Sequence, residues 1–149
     1  MSSPLPTTRK EIRKGVLDLL LGKTVAEDRV FANRTPPISQ RDELPVILIY
    51  PEGEEDTVLQ HYGTQSKLKR KDLSLIVEII VEETSERLLN DAIDDLADQV
   101  EDLIEKSDKI GNLVHDISID TSEGEYSVDG DLSWATWKMN FKVSYIKKF

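Results

Sequence analysis

Leu44-Pro45-Val46-Ile47-Leu48-Ile49-Tyr50-Pro51 sets five consecutive apolar residues between two prolines. Side chains alternate across a strand, so Val46, Leu48 and Tyr50 point one way and Ile47 and Ile49 the other. Both faces are apolar, so both must be covered. The run is too short for a helix and rich in β-branched residues, which predicts a strand buried on both faces. Pro45 suits the first position of a strand, and Pro51 is expected to stop it. The rest of the chain is read as what packs on this central strand.

The surrounding elements follow from periodicity. Thr8-Arg9-Lys10-Glu11 has capping-box spacing, and Ile12, Val16, Leu19 and Leu20 recur at helical steps before Gly22. A helix is predicted over 9–21. A short strand is expected near Val30-Phe31, broken by Pro36-Pro37. Residues 52–71 are polar, with an acidic patch (Glu52, Glu54, Glu55, Asp56) followed by a basic one (Lys67, Lys69, Arg70, Lys71). A connection this long is expected to be a loop that meets a partner. Leu73, Leu75, Val77, Ile79 and Val81 alternate as a strand. Thr84 or Ser85 then caps a helix whose apolar stripe is Leu89, Ile93, Leu96, Val100, Leu103 and Ile104, and which Gly111 ends. Its other face is acidic, from Glu86 to Glu105.

Leu113, His115, Ile117 and Ile119 share one face of the next strand, and Trp137, Met139, Phe141, Val143 and Tyr145 one face of the last. A two-residue turn at Asp129-Gly130 would oppose Ile117 to Lys142, an apolar face to a polar one. A one-residue bulge or an irregular loop across 121–131 is therefore expected. Trp134 and Trp137 lie three apart and so face opposite sides, one into the core and one exposed. The sum is an α+β fold, a mainly antiparallel mixed sheet of about five strands with two helices packed on one face. Residues 1–7 read as a flexible N-terminal tail and 8–149 as a single domain.

Composition narrows the function. The 149 residues include no cysteine, which excludes disulfides, thiol chemistry and cysteine-ligated zinc. No apolar run approaches the ~20 residues of a membrane span, so no membrane role is expected. The net charge is −10, and it is uneven: residues 1–75 carry 12 Lys/Arg and 11 Asp/Glu, residues 76–149 carry 7 and 18. Such acidity opposes nucleic-acid binding, which depends on phosphate neutralisation by Lys and Arg. The two histidines, His61 in the polar segment and His115 on a strand, have no triad or zinc partners at motif spacing. Asp116, Asp120, Glu123 and Glu125 could gather a divalent cation but lack the pattern of a calcium loop. No catalytic residue, cofactor or metal site is assigned.

Val30-Phe31-Ala32-Asn33-Arg34-Thr35-Pro36-Pro37, with Asp42-Glu43-Leu44-Pro45 leading into the central strand, resembles the tail terminator proteins of long-tailed bacteriophages, the lambda minor tail protein U type. The similarity extends through element order and spacing over roughly residues 8–146. It implies a non-enzymatic structural protein of the virion, assembled in the host cytoplasm, that forms a homohexameric ring at the tail neck. Such a ring caps the tail tube, stops its polymerisation and presents the head-joining surface. Its partners would be the major tail tube protein and a head-completion or connector protein, with DNA passing through without specific binding. Two interaction sets are expected on that basis. Arg34, Lys67, Lys69, Arg70 and Lys71 would make a subunit or tube contact, and part of the acidic surface would line the channel, either the acidic face of the second helix or the 52–56 segment with Glu52, Glu54, Glu55 and Asp56. The alternatives are another neck or connector (head–tail joining) protein, and a small metal-dependent hydrolase using Asp116, Asp120 and Glu125.

Overall fold

Leu73, Leu75, Val77, Ile79 and Val81 alternate with Ile76, Glu78 and Ile80, and all eight are buried. A strand buried on both faces must sit inside a sheet, and in a computed structural model describing residues 8–32, 44–63, 66–129 and 132–149 it does. The elements are α1 (Arg9–Leu20), β1 (Val30–Phe31), β2 (Val46–Tyr62), β3 (Ser66–Glu83), α2 (Glu86–Glu105), α3 (Asp108–Asn112), β4 (Asp116–Asp129) and β5 (Leu132–Lys148). The sheet order is β1-β2-β3-β5-β4. Only β1, through Val30↔Ile47 and Phe31↔Leu48, runs parallel to its neighbour. The architecture is the α+β mixed sheet that the periodicities predict.

The two long helices lie on one face. Ile12, Val16 and Leu20 of α1 and Leu89, Ile93, Leu96, Val100 and Ile104 of α2 join Ile47, Ile49, Leu75, Val77, Phe141 and Val143 in one cluster. Each large apolar side chain fully buried there is worth roughly 1.5–3 kcal/mol. The caps are local: Thr8 Oγ1 accepts from Glu11 N at 3.2 Å, and Ser85 Oγ accepts from Leu88 N at 3.2 Å. The opposite face, helix-free among the described residues, carries a much smaller cluster, Val46, Leu48 and Ile80 with Phe31, Leu44 and Tyr50 packed on it. Both faces of the Val46–Tyr50 stretch are covered, as its pattern requires.

Four expectations need correction. Pro51 does not stop the central strand, which runs on to Tyr62. Among the described residues β1 pairs only with Ile47 and Leu48, so Pro51 lies on an open edge where its missing N–H costs nothing. Residues 52–62 and 66–71 are accordingly strand and not loop: Glu54 pairs with Leu73, Asp56 with Lys71 and Thr57 with Arg70, in a ladder whose register shifts between Pro51 and Gly53 and again between Val58 and Gln60. The second helix ends at Glu105, before Gly111. Ser107 Oγ donates to Ile104 O and accepts from Ile110 N at 3.1 Å, opening a left-handed turn in which Lys109, Ile110 and Gly111 all have φ near +60°. That turn carries the chain past the expected strand start, so β4 begins at Asp116 and His115 is exposed.

The expected bulge exists. Asp129 pairs with Leu132 and Thr121 with Asn140, but Ile119 pairs with Phe141 and Ile117 with Val143, a one-residue shift at Asp120. Apolar residues thus oppose apolar ones under the helices. The tryptophans divide as expected: Trp137 packs against the core and Trp134 is exposed. Gly124 lies opposite Trp137, and a Cβ there would stand 2.6 Å from the indole ring. Gly124→Ala therefore forces the rigid ring aside and should destabilise the fold by about 1–3 kcal/mol. Chemical denaturation followed by tryptophan fluorescence checks this, and an unchanged midpoint would contradict it.

Candidate functional site

Past the helices, β2 and β3 continue as a hairpin arm, Gly53–Tyr62 against Ser66–Asp72, with the end of β5 alongside as far as Lys148↔Leu68. The arm has almost no apolar burial. Its ladder is held by charge instead. Side chains on the helix-bearing side are those in phase with Leu73: Lys67, Lys69 and Lys71 on β3, Glu54 and Asp56 opposite them on β2, and Tyr145 and Lys147 on β5.

Lys71 Nζ lies 3.1 Å from both Glu54 Oε1 and Asp56 Oδ1, and Lys69 Nζ is 3.5 Å from Asp56. Tyr145 Oη donates to the other Glu54 oxygen at 2.7 Å. The hydrogen bond from Lys71 holds the Asp56 carboxyl below its usual range. Burial pushes Lys71 down, but its bonds to Asp56 and Glu54 outweigh this and leave it above its ordinary value. Two of the acids expected to line a channel are therefore engaged with two of the bases expected to make a contact. At the arm's end the Phe149 ring centroid lies 5.0, 5.8 and 5.5 Å from the ammonium groups of Lys69, Lys71 and Lys147, a cation–π cluster that charge patterning did not single out.

Arg70 belongs to the other, helix-free side, where it pairs with Asp72 at 3.3 Å, and Asp72 also accepts from Ser144. Glu55 opposes Asp72 and shares that side. Glu52 sits at a bulge between Pro51 and Gly53 and lines a hollow on the same side with Tyr50, Ile76, Glu123, Lys138 and Asn140. Beneath it Glu78 is 2% exposed, accepts from Tyr50 Oη at 2.6 Å and stands 4.0 Å from Lys138 Nζ. Burial, then the bond to Glu78, raises the Tyr50 phenol well above its usual range. Sequence reading missed this trio, although an acid at the centre of an apolar strand was its visible mark. Arg34 lies outside the described residues.

The carboxylates weighed for a metal site do not converge. Asp116 and Glu125 lie nine positions apart on β4, roughly 30 Å along a strand. Among the described residues no three His, Asp or Glu side chains gather where an ion could be held. Among the same residues no helix is long and apolar enough to cross a membrane. What the arrangement offers is surface: a charge-laddered arm and, beside the small buried cluster of Val46, Leu48 and Ile80, polar stretches of the opposite sheet face.

Two outcomes follow. Tyr50→Phe leaves the buried Glu78 carboxylate without its short donor and should cost about 1–3 kcal/mol in thermal or chemical unfolding; a variant as stable as the parent would show the bond to be dispensable. Asp56 has a depressed folded pKa, so its contribution is complete above the ordinary carboxylate value of about 4 and is lost as pH falls through the lower folded value. Lys71→Ala should therefore lower Tm at neutral pH, with the difference from the parent narrowing as the pH drops below about 4. A difference that persists undiminished in acid would place the effect elsewhere.

No curated protein matches the chain. Among solved structures, a chain from the virion of a native gene transfer agent particle aligns over 89% of this chain and 94% of its own length, at 8% identity and a TM-score of 0.42. The phage minor tail protein U family matches residues 7–145, nearly the whole sequence. The chain belongs to the phage minor tail protein U family and is a structural protein of the phage tail, a component of the virion.

Proposed function

We propose that this protein is a tail terminator, a ring of identical copies that caps the finished tail tube, stops its polymerisation and offers the surface to which the head joins. The observation that carries this reading is the pair of open sheet edges. β4 has no outer neighbour among the described residues, nor has β2 beyond Leu48. The two edges lie on opposite sides of a sheet whose helices all occupy one face. Long free edges call for cover. A contact that joins one edge region to the other is head-to-tail, and such contacts close into rings when the rotation allows. The count of six comes from the family resemblance.

In that ring the helix-free face would turn to the channel. It carries Glu52, Glu55, Asp72, Glu123 and Glu125 against Arg70, Lys138 and Lys142. The excess is acidic, and six copies multiply it. A negative wall gives DNA no phosphate-neutralising grip and lets it slide. Glu52 and Glu55 are the better placed of the four acids read as channel-lining, since Glu54 and Asp56 face the helix side and are paired with lysines. The lysines, with Arg34, would serve contacts to neighbouring copies or to the major tail tube protein, and the far rim would meet the head-completion protein.

Adding the purified protein to polymerising tail tubes should end their growth and leave rings at the tips by electron microscopy. Tubes that elongate unchecked at saturating protein would defeat the reading. In assembled phage, Glu52→Lys with Glu55→Lys should slow DNA ejection. Ejection at the parental rate would separate these two residues from the channel.

A further inference from the structure

The lysine side of the arm presents an apolar centre ringed by cations. Phe149 is 47% exposed, with Lys69, Lys71 and Lys147 around its ring. Glu54 and Asp56 offset Lys71 and Lys69, but among the described residues Lys67 and Lys147 have no carboxylate partner. Surplus positive charge thus surrounds a half-exposed aromatic ring.

The helix layer presents the converse. Val25 is 54% exposed, and its N–H donates to Gln99 Oε1 at 3.1 Å, which seats it beside the middle of α2. Asp95 and Asp102 flank Gln99 at helical spacing, and Asp98 and Asp94 continue the same exposed face. Among the described residues none of these carboxylates is in an ion pair with the arm. Nor can it be within one chain: α2 lies on the sheet by its apolar stripe, so its acids face away from the arm.

We propose that the arm of one copy docks on the outer face of α2 in the next copy, with Phe149 against Val25 and the lysines against Asp94, Asp95, Asp98 and Asp102. This rests on the ring reading above and adds a second subunit contact to the joining of the sheet edges. The arm protrudes by about seven residues beyond the last core position of β3, roughly 23 Å, enough to reach across a subunit boundary. The two surfaces are different patches of the same chain, so the contact is head-to-tail and repeats around a ring. Being built on exposed charge, it weakens as salt rises.

The absence of cysteine makes the contact directly testable. The double variant Lys147→Cys/Asp98→Cys, added to tail tubes and oxidised, should give a ladder of disulfide-linked multimers on a non-reducing gel; the control Lys147→Cys/Glu123→Cys should not. Charge exchange gives a second reading. Lys69→Glu/Lys147→Glu should fail to cap tubes alone, as should Asp95→Lys/Asp98→Lys, while an equal mixture of the two caps again, because each restores the other's complement. Tubes capped without a ladder, or a mixture no better than its parts, would overturn the docking and leave the ring standing. A ladder to the tube protein instead would overturn it in favour of that partner. Failure of the parental chain to cap tubes would overturn the ring reading and the docking with it.

Discussion

Burial of β3 on both of its faces is the constraint from which the rest of the molecule follows. Leu75, Val77 and Ile79 meet the helices, and Ile76, Glu78 and Ile80 are buried on the reverse. A strand so placed needs a partner on each side, and β2 and β5 supply them over nearly its full length. Each partner inherits its phase from β3. The Asp120 bulge exists because β4 must match that phase through β5 and keep Ile117 and Ile119 under the helices. The same demand fixes which side of the arm holds Lys69 and Lys71, since these residues continue the phase of Leu73.

Where the helices end, the source of stability changes. In the core, apolar area is buried at roughly 25 cal/mol per Å². On the arm, the ion pairs are largely solvated, and such pairs are each worth less than a large core side chain, about 0.2–1 kcal/mol. The arm is thus held mainly by its hydrogen-bond ladder and by charge, with little apolar burial. Concentrated like charge acts in the same direction. An acidic helix face and an acidic sheet face oppose indiscriminate stacking of copies, and under the docking proposed above the basic, aromatic surface of the arm would be where a contact is chosen. A tail component has to remain soluble before assembly and fit one place within it, and this distribution serves both needs.

Much of this was legible in the residues. The 3.6-residue stripes of α1 and α2 and the twofold alternation of β3 and β5 are backed by large buried areas, so the patterns are strong. That a register shift was needed could be argued from the mismatch of Ile117 with Lys142 under a turn at Asp129-Gly130; the ladder instead closes at Asp129 and Leu132, and the shift at Asp120 brings Ile117 to Val143 where Ser144 would otherwise stand. The arm was not read as strand because a hydrogen-bond ladder outside the core leaves no hydrophobic trace. Its mark was subtler: Glu54 and Asp56 at strand spacing answer Lys69 and Lys71 at the same spacing, a cross-strand charge match. The left-handed turn at Lys109–Gly111 displaced the start of β4 and moved His115 out of the apolar face, which no local propensity announces for a chain carrying Ile110 at positive φ. The Tyr50–Glu78–Lys138 trio arises from three strands and becomes visible only when their register is known.

In the proposed ring, the sheet has one face covered by helices and would turn the other toward a shared axis. A cryo-electron microscopy map of tails carrying this protein tests that most directly. It should show a closed ring at the tube end, with the helix-free face of Glu52, Glu123 and Lys138 toward the channel and α1 and α2 on the outside. A map with α2 lining the channel, or with isolated copies attached to the tube flank, would contradict it.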